Sequence, residues 1–434
     1  MSNFWVKLGN HYSIGQIKWF VALVLLLSPA LASAELKDLT TAQARAACDK
    51  MYMRLNYGSL IPPATFIDTC GGTVAAPLTF ANEADAKAHF LAQAKIAVQQ
   101  PQFLKTVYSI ASRWTSEESK LSPNPAEHNA NDVALTVVGA AKDDINLRSV
   151  MYDDIIYTCT GVTPPYSREN MDHHNACASL PAEQWQQVLT STTQTSLGVE
   201  PTLVAGLTTL RGHCQVFANM GTNRSYIRFT LLHFLGEDIE GWQDLQVDDS
   251  CVGEDVPRAP GDETETYNKK CKACHAGMDC IRSAYAYIDW VENEDASFCS
   301  LTPGVVAGKY SGNPGDELAR QLALPTVDDS WELRWNQNDN AGAGWRDENM
   351  QLYPVGTKVE GKGPASLNRL FANTDQFHKN IARQILANVC NIDFNAPDLP
   401  VLNSAEINEM VPNPAGPVSV KDLAARASLI CFGK

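Results

Sequence analysis

After residue 34 the 434-residue chain has no apolar run of the about 18 residues that a membrane helix needs. It is also short of positive charge, with 34 Lys and Arg against 49 Asp and Glu and a net charge of -15. That balance disfavours binding to nucleic acid, whose affinity comes mainly from Lys and Arg on phosphates. It equally disfavours adsorption to anionic lipid headgroups. No segment repeats at a fixed period and no tract is of low complexity, which argues against a solenoid or a linker-rich array. With 44% hydrophobic and 19% charged residues the composition is that of a globular protein. At roughly 150 residues per domain, the length predicts two or three domains.

The one long apolar stretch lies at the start. Lys7 and Lys18 precede Trp19–Leu27, which is too short to span a bilayer, and Ala32-Ser33-Ala34 reads as a cleavage signal before Glu35. Residues 1–34 are therefore expected to be a signal peptide. The mature chain then has no stable membrane span, a net charge of -17 once the two lysines are gone, and a periplasmic or secreted location. No cysteine sits at the cleavage point to carry a lipid anchor.

Helical patterns dominate the remainder. They are expected over 38–53, from an Asn82 cap to Pro101, and over 103–114, 149–157 and 181–189. Further helices are expected over 204–235 with a break near 221–223, and over 264–290, 364–389 and 418–429. Long loops rich in Pro, Gly, Asn and Asp fill 251–263, 302–317 and 336–363, with a possible short strand at 358–360. The fold class is thus mainly α: a helical N-terminal region, 35–262, followed by a second region, 263–434, with long loops.

Cys271-Lys272-Ala273-Cys274-His275 is a C-x-x-C-H sequence, which in an exported protein reads as an attachment site for c-type haem (heme c). Two thiols three residues apart face one side of a helical turn and can add to the two vinyl groups of one porphyrin, while His275 ligates the iron. A redox disulfide lacks the expected βαβ context, and half a zinc site lacks a second pair of ligands. No other C-x-x-C-H exists, so one covalent haem is expected. The other ten cysteines suggest five disulfides in an oxidising compartment. Pairing neighbours yields Cys48–Cys70, Cys159–Cys177, Cys214–Cys251, Cys280–Cys299 and Cys390–Cys431, although spacing does not determine connectivity.

The stretch Cys271–Asp279, CKACHAGMD, followed by Ala284-Tyr285-Ala286-Tyr287, resembles secreted bacterial cytochrome-c-like proteins with a C-x-x-C-H-x-G-M-D haem motif. That group is largely uncharacterised. The chain is more distantly similar to planctomycete-type cytochrome domains. The resemblance extends over about residues 130–392, including Gly221–Arg224, Arg228–Thr230, Asp255–Asp262, Asp328–Trp331, Gly344-Trp345 and the Gly363–Cys390 segment. It departs at Cys280, where such proteins often have proline. The resemblance implies a c-type haem protein, with 263–434 as its cytochrome-c-like, disulfide-braced haem region, and no particular substrate.

Met350, in the loop GWRDENMQLYPVG, is the first candidate for a sixth iron ligand, ahead of Met410 and His378. Met278 is one turn from His275 on the same side, where it can only pack on the ring edge. Arg224 and Arg228, four apart, are candidates for haem propionates, with a surface ion pair as the alternative. His173-His174 is expected to be solvated, as are Asp328-Asp329 and Asp347-Glu348. Asn336, Asn338 and Asn340 match a calcium loop poorly. The expected function is single-electron transfer by an exported mono-haem cytochrome, with a redox partner that presents a basic docking surface to this acidic chain. The alternative is a haem-c peroxidase, oxidoreductase or sensor with an open iron site. The long N-terminal region, more than a minimal carrier needs, favours something beyond one.

Overall fold

The computed structural model describes residues 35–57, 61–114, 130–218, 223–252, 267–292, 297–306, 328–393 and 399–433. The expected signal peptide, Gly221-Thr222 and residues 255–262 lie outside them. In chain order the elements start with α1 (Thr41–Leu55), α2 (Ala64–Gly71), α3 (Glu83–Ala97), α4 (Phe103–Ala111), α5 (Asn131–Lys142) and α6 (Leu147–Val150). Then come β1 (Ile156–Cys159), α7 (Asp172–Ala178), α8 (Ala182–Val188), β2 (Leu189–Thr192), α9 (Arg211–Phe217) and α10 (Arg224–Thr230). The remainder comprises α11 (Lys272–Arg282), β3 (Ile288–Glu292), β4 (Ser297–Leu301), β5 (Ser330–Leu333), β6 (Val359–Lys362), α12 (Gly363–Ala372), α13 (Asp375–Cys390), α14 (Ala405–Met410) and α15 (Val420–Ile430).

The fold is mainly helical, as expected. Its strands form three separate antiparallel pairs, β1–β2, β3–β4 and β5–β6. Such short pairs need a packed helix beneath them to persist. β1 lies on α5 and α7, β3–β4 on α9, and β5 on α11. Helix starts follow capping chemistry. Thr40 and Gln43 form a reciprocal capping box at α1, and Asn82 accepts from Asp85 N at 2.9 Å to open α3.

Three segments depart from the sequence reading. Residues 149–157 hold only the end of α6 before the chain extends into β1, because Ile156–Cys159 pairs with Leu189–Thr192. The segment 264–290 does not stay helical to its end, since Ile288 begins β3. The late helix 364–389 is two helices. Thr374 donates to the Phe371 carbonyl at 2.8 Å and accepts from Phe377 N at 3.0 Å, so it ends one helix and caps the next. Apolar periodicity alone does not register this break, since both helices bury the same kind of face.

One cluster of buried apolar side chains runs from Ala44 to Cys431. The C-terminal α15 packs on α1, α3 and α13, and the Cys390–Cys431 disulfide pins its end to α13. Arg148 locks a second long-range corner. Its guanidinium, 2% exposed, donates to the carbonyls of Ala372, Thr374, Pro414 and Gly416. Burial lowers its pKa to about 10, so it stays charged. Arg148→Ala would leave several buried carbonyls without donors. The expected loss is about 3 kcal/mol or more, read as a lower urea midpoint. An unchanged midpoint would refute the clamp.

Five disulfides are present: Cys48–Cys70, Cys159–Cys177, Cys214–Cys299, Cys251–Cys280 and Cys390–Cys431. Three agree with pairing by neighbours. The expected Cys214–Cys251 and Cys280–Cys299 bridges are exchanged. Cys214 lies on α9, which packs against the β3–β4 pair, and Cys299 sits in β4 opposite Trp290. That packing removes both cysteines from their chain neighbours and leaves Cys280 of α11 to Cys251.

Candidate functional site

The site is built on α11. A single π-helical turn, Tyr267–Cys271, leads into it, so Cys271 sits where the helical register changes. Such turns are rare and concentrate at functional positions. At about 100° per residue, Cys271, Cys274, His275, Met278 and Arg282 share one face of α11. Cys271 and Cys274 are half-buried and are the two cysteines outside the five disulfides. Burial pushes the Cys274 thiol up, and the nearby Glu240 and Asp238 carboxylates add to this. A reactive redox pair needs a lowered thiol pKa, so the environment of Cys274 speaks against that chemistry. Among the described residues, no group of three or more His, Cys, Asp or Glu side chains is placed to hold a metal ion.

His275 is joined to a buried carboxylate. Its Nδ1 lies 3.3 Å from Asp279 Oδ2, one turn along the helix. Asp279 has no exposed side-chain surface. Arg224 grips it with Nε at 2.7 Å from Oδ1 and Nη2 at 2.6 Å from Oδ2, and Arg282 Nε stands 3.6 Å from Oδ1. Burial alone would push this carboxyl up. The charge of Arg282 and the hydrogen bonds from Arg224 and His275 overcome it and hold Asp279 well below the usual carboxylate range. Arg224 is delivered by Asn223, which takes a left-handed conformation (φ 57°) and donates to the Tyr285 and Ile288 carbonyls at 2.8 and 3.0 Å. This anchors the start of α10 to the chain that leaves α11.

The opposite side of α11 is packed shut. The Trp335 ring lies against Gly277, where a Cβ would collide with the indole. Trp242 contacts both Trp335 and Trp345. Asn336 and Asn340 donate to the Pro354 and Trp242 carbonyls, so they hold this tryptophan loop together. Cys280, also on this far side, ties α11 to Cys251.

The sequence-derived candidates are distributed as follows. Cys271, Cys274 and His275 converge as expected. Arg224 is spent on Asp279, and Arg228 on Asp238 at 3.0 Å, although the charge of Arg228 is felt at Cys274. Met350 has φ 64°, and its described hydrogen bonds are to Asp347 and Arg346 of its own loop. Arg346–Asp375 at 2.7 Å and Asn373–Asp347 at 2.9 Å hold that loop at the α12–α13 corner. Trp335, which precedes that loop, lies against Gly277, about 200° around α11 from His275. Met410 is buried in α14 against α13 and α15. His378 is a core residue whose Nδ1 is 3.3 Å from the Pro414 carbonyl.

Two expectations of solvation fail. His173 and His174 are buried at the start of α7, where His173 Nε2 accepts from Cys159 N at 3.1 Å and His174 Nε2 meets the Tyr157 carbonyl at 3.0 Å. They fasten α7 to β1. Asp329 is buried as well, 3.7 Å from Lys362. Asp279 and Arg282 were missed as site residues. The available signal was their spacing, since Asp279 is four residues after His275 and so shares its face.

Buried histidines, His213 and His378 among them, make stability depend on pH. His213 is buried in an aromatic cluster with Phe217 and Tyr226, and neither ring nitrogen has a hydrogen-bond partner among the described residues. Burial lowers its pKa to about 3 and that of His378 to about 4, against 6.5 for an ordinary imidazole. Below about pH 6.5 the unfolded chain therefore takes up protons that the folded chain refuses. Stability should fall with falling pH, by up to about 1.4 kcal/mol per pH unit for each group, until the folded pKa is reached. Urea midpoints between pH 7 and 5 check this. His213→Phe should flatten the slope, and an unaltered slope would remove His213 from the account.

No family model matches the chain, and no similar curated protein or solved structure was found.

Proposed function

We propose that this chain is an exported mono-haem c-type cytochrome that carries single electrons, with one haem attached through Cys271 and Cys274 and ligated by His275. The observation that carries the reading is the isolation of these two thiols. Ten cysteines pair among themselves, and the two left over stand one turn apart on the helix face that also presents an imidazole. The residues fit the group: two unpaired half-buried thiols for thioether bonds, and a ring nitrogen of His275 left over once Nδ1 faces Asp279. When bound, the haem supplies the one-electron chemistry, and the protein sets its ligation and surroundings.

The roles of this chain's residues follow from their positions. Cys271 and Cys274 fix the ring edge against α11. His275 offers its imidazole on the same face, and Met278 and Arg282 flank it. Arg228, 35% exposed and near Cys274, is better placed than Arg224 to meet a propionate. Five disulfides suit an oxidising compartment, which supports a periplasmic or secreted location. Among the described residues no helix is long and apolar enough to cross a membrane. A net charge of -15 suits a redox partner with a basic face and an association that weakens with salt.

The position of Met350 favours a second reading, a haem-c peroxidase, oxidoreductase or sensor with an open iron. The described hydrogen bonds of Met350 stay within its own loop, which is fastened to Asn373 and Asp375 at the α12–α13 corner and not to α11. Absorption spectra of the oxidised and reduced protein, made in a host that matures c-type cytochromes, separate the two. Sharp low-spin bands unmoved by cyanide or peroxide support electron transfer. High-spin bands that shift with either support the open-iron reading.

A further inference from the structure

We infer that Asp279, clamped by Arg224 and Arg282, is a positioning residue that orients the His275 imidazole and sets the one-electron potential of the bound haem. This rests on the haem reading above and adds a device to it: a buried carboxylate on the ligand's second nitrogen, held in place by a helix from elsewhere in the chain.

The geometry has three parts. First, Asp279 Oδ2 faces His275 Nδ1 at 3.3 Å, so the N–H of the imidazole lies on that side and Nε2 is the atom turned outward. Second, the carboxylate cannot swing away. Its two oxygens are held by the Arg224 fork at 2.7 and 2.6 Å, and its side chain is fully buried. Third, the fork comes from α10, whose start is fixed by Asn223 on the Tyr285 and Ile288 carbonyls. The orientation of His275 is thus set by tertiary structure and not by the α11 backbone alone.

A carboxylate on the second ring nitrogen makes a ligating imidazole a stronger donor. A stronger donor favours the more highly charged ferric iron over the ferrous and lowers the potential. Arg224 and Arg282 oppose this, because two positive charges surround one negative charge and draw density from the carboxylate. The potential should therefore respond in opposite directions to the two sides of the clamp. Asp279→Asn removes the charge from the histidine's partner and should raise the potential. Arg224→Gln removes one cation from the carboxylate and should lower it.

Two measurements on the full chain, produced with covalent haem, test this. Covalent haem content is quantified first, on the wild type. If it has none, the haem reading fails and the inference goes with it, and that outcome is distinct from every one below. With haem in place, optical redox titration follows. Removing an outer-shell partner of a metal-bound histidine costs 10–100-fold in metal affinity or activity, and the same range is expected for the ferric form relative to the ferrous. Asp279→Asn should then lose ferric preference by about that factor, about 60–120 mV at 59 mV per tenfold for one electron. Arg224→Gln should move the midpoint the other way. Unshifted midpoints in both variants at full haem content would overturn the inference and leave the haem reading standing. If Asp279→Asn fails to fold, Arg224→Gln decides alone: a lower midpoint supports the inference, and an unchanged or higher one overturns it.

Discussion

Replacing Cys271 and Cys274 together by serine should abolish covalent haem, while the wild type made in a maturation-competent host carries one per chain. A serine hydroxyl does not form the thioether bonds that fix the ring, and His275 alone leaves only a single reversible iron bond. The single variants Cys271→Ser and Cys274→Ser should each retain at most one bond to the ring. The readout is haem that survives denaturation in detergent, quantified by its alkaline pyridine spectrum. A count of thiols sharpens it. Among 12 cysteines, ten are in disulfides and two are free, so the denatured haem-free chain should show two reactive thiols and the haem-bearing chain none. A wild type with no covalent haem and no reactive thiols would mean that Cys271 and Cys274 form a disulfide, and the proposed function would fall.

Removing the Cys214–Cys299 bridge with a Cys214→Ala, Cys299→Ala pair should cost about 4 kcal/mol, the largest effect among the disulfides. The bridge spans 85 residues, the longest loop of the five, and constraint of the unfolded chain grows with loop length. It also staples α9 to β4, so the loss should be accompanied by weaker protection of both elements from hydrogen exchange. Chemical denaturation gives the magnitude. Peptide mapping under non-reducing conditions decides the connectivity directly, because fragments containing Cys214 must be linked to fragments containing Cys299, and Cys251 to Cys280. Fragments linking Cys214 to Cys251 would overturn the arrangement of α9 against the β3–β4 pair.

The two predictions differ in where their information lies. The cysteine–histidine pattern is local. Five consecutive positions determine that Cys271, Cys274 and His275 share a face, and the structure places them there. The same holds for the Asn82 cap, for the helix beginning at Phe103 and for the terminal helix ending at Ile430, each of which follows from neighbours within a few residues. Where a local rule had to compete with a distant partner, the reading failed. Residues 156–159 look compatible with helix until Leu189–Thr192 supplies a strand to pair with. His173 and His174 look like a polar loop until β1 offers them a backbone amide and a carbonyl.

From the sequence alone came the helical class, the acidic surface and the candidate attachment motif, because composition and spacing along one helix are properties of adjacent residues. The tertiary structure alone decided which cysteines meet, since a disulfide needs two Cα atoms within a few ångströms whatever their separation in the chain. It alone fastened the Met350 loop to the α12–α13 corner and brought Arg224 from α10 onto Asp279. A charged group is buried only when partners compensate its desolvation, and for Asp279 one of them, Arg224, lies 55 residues away along the chain.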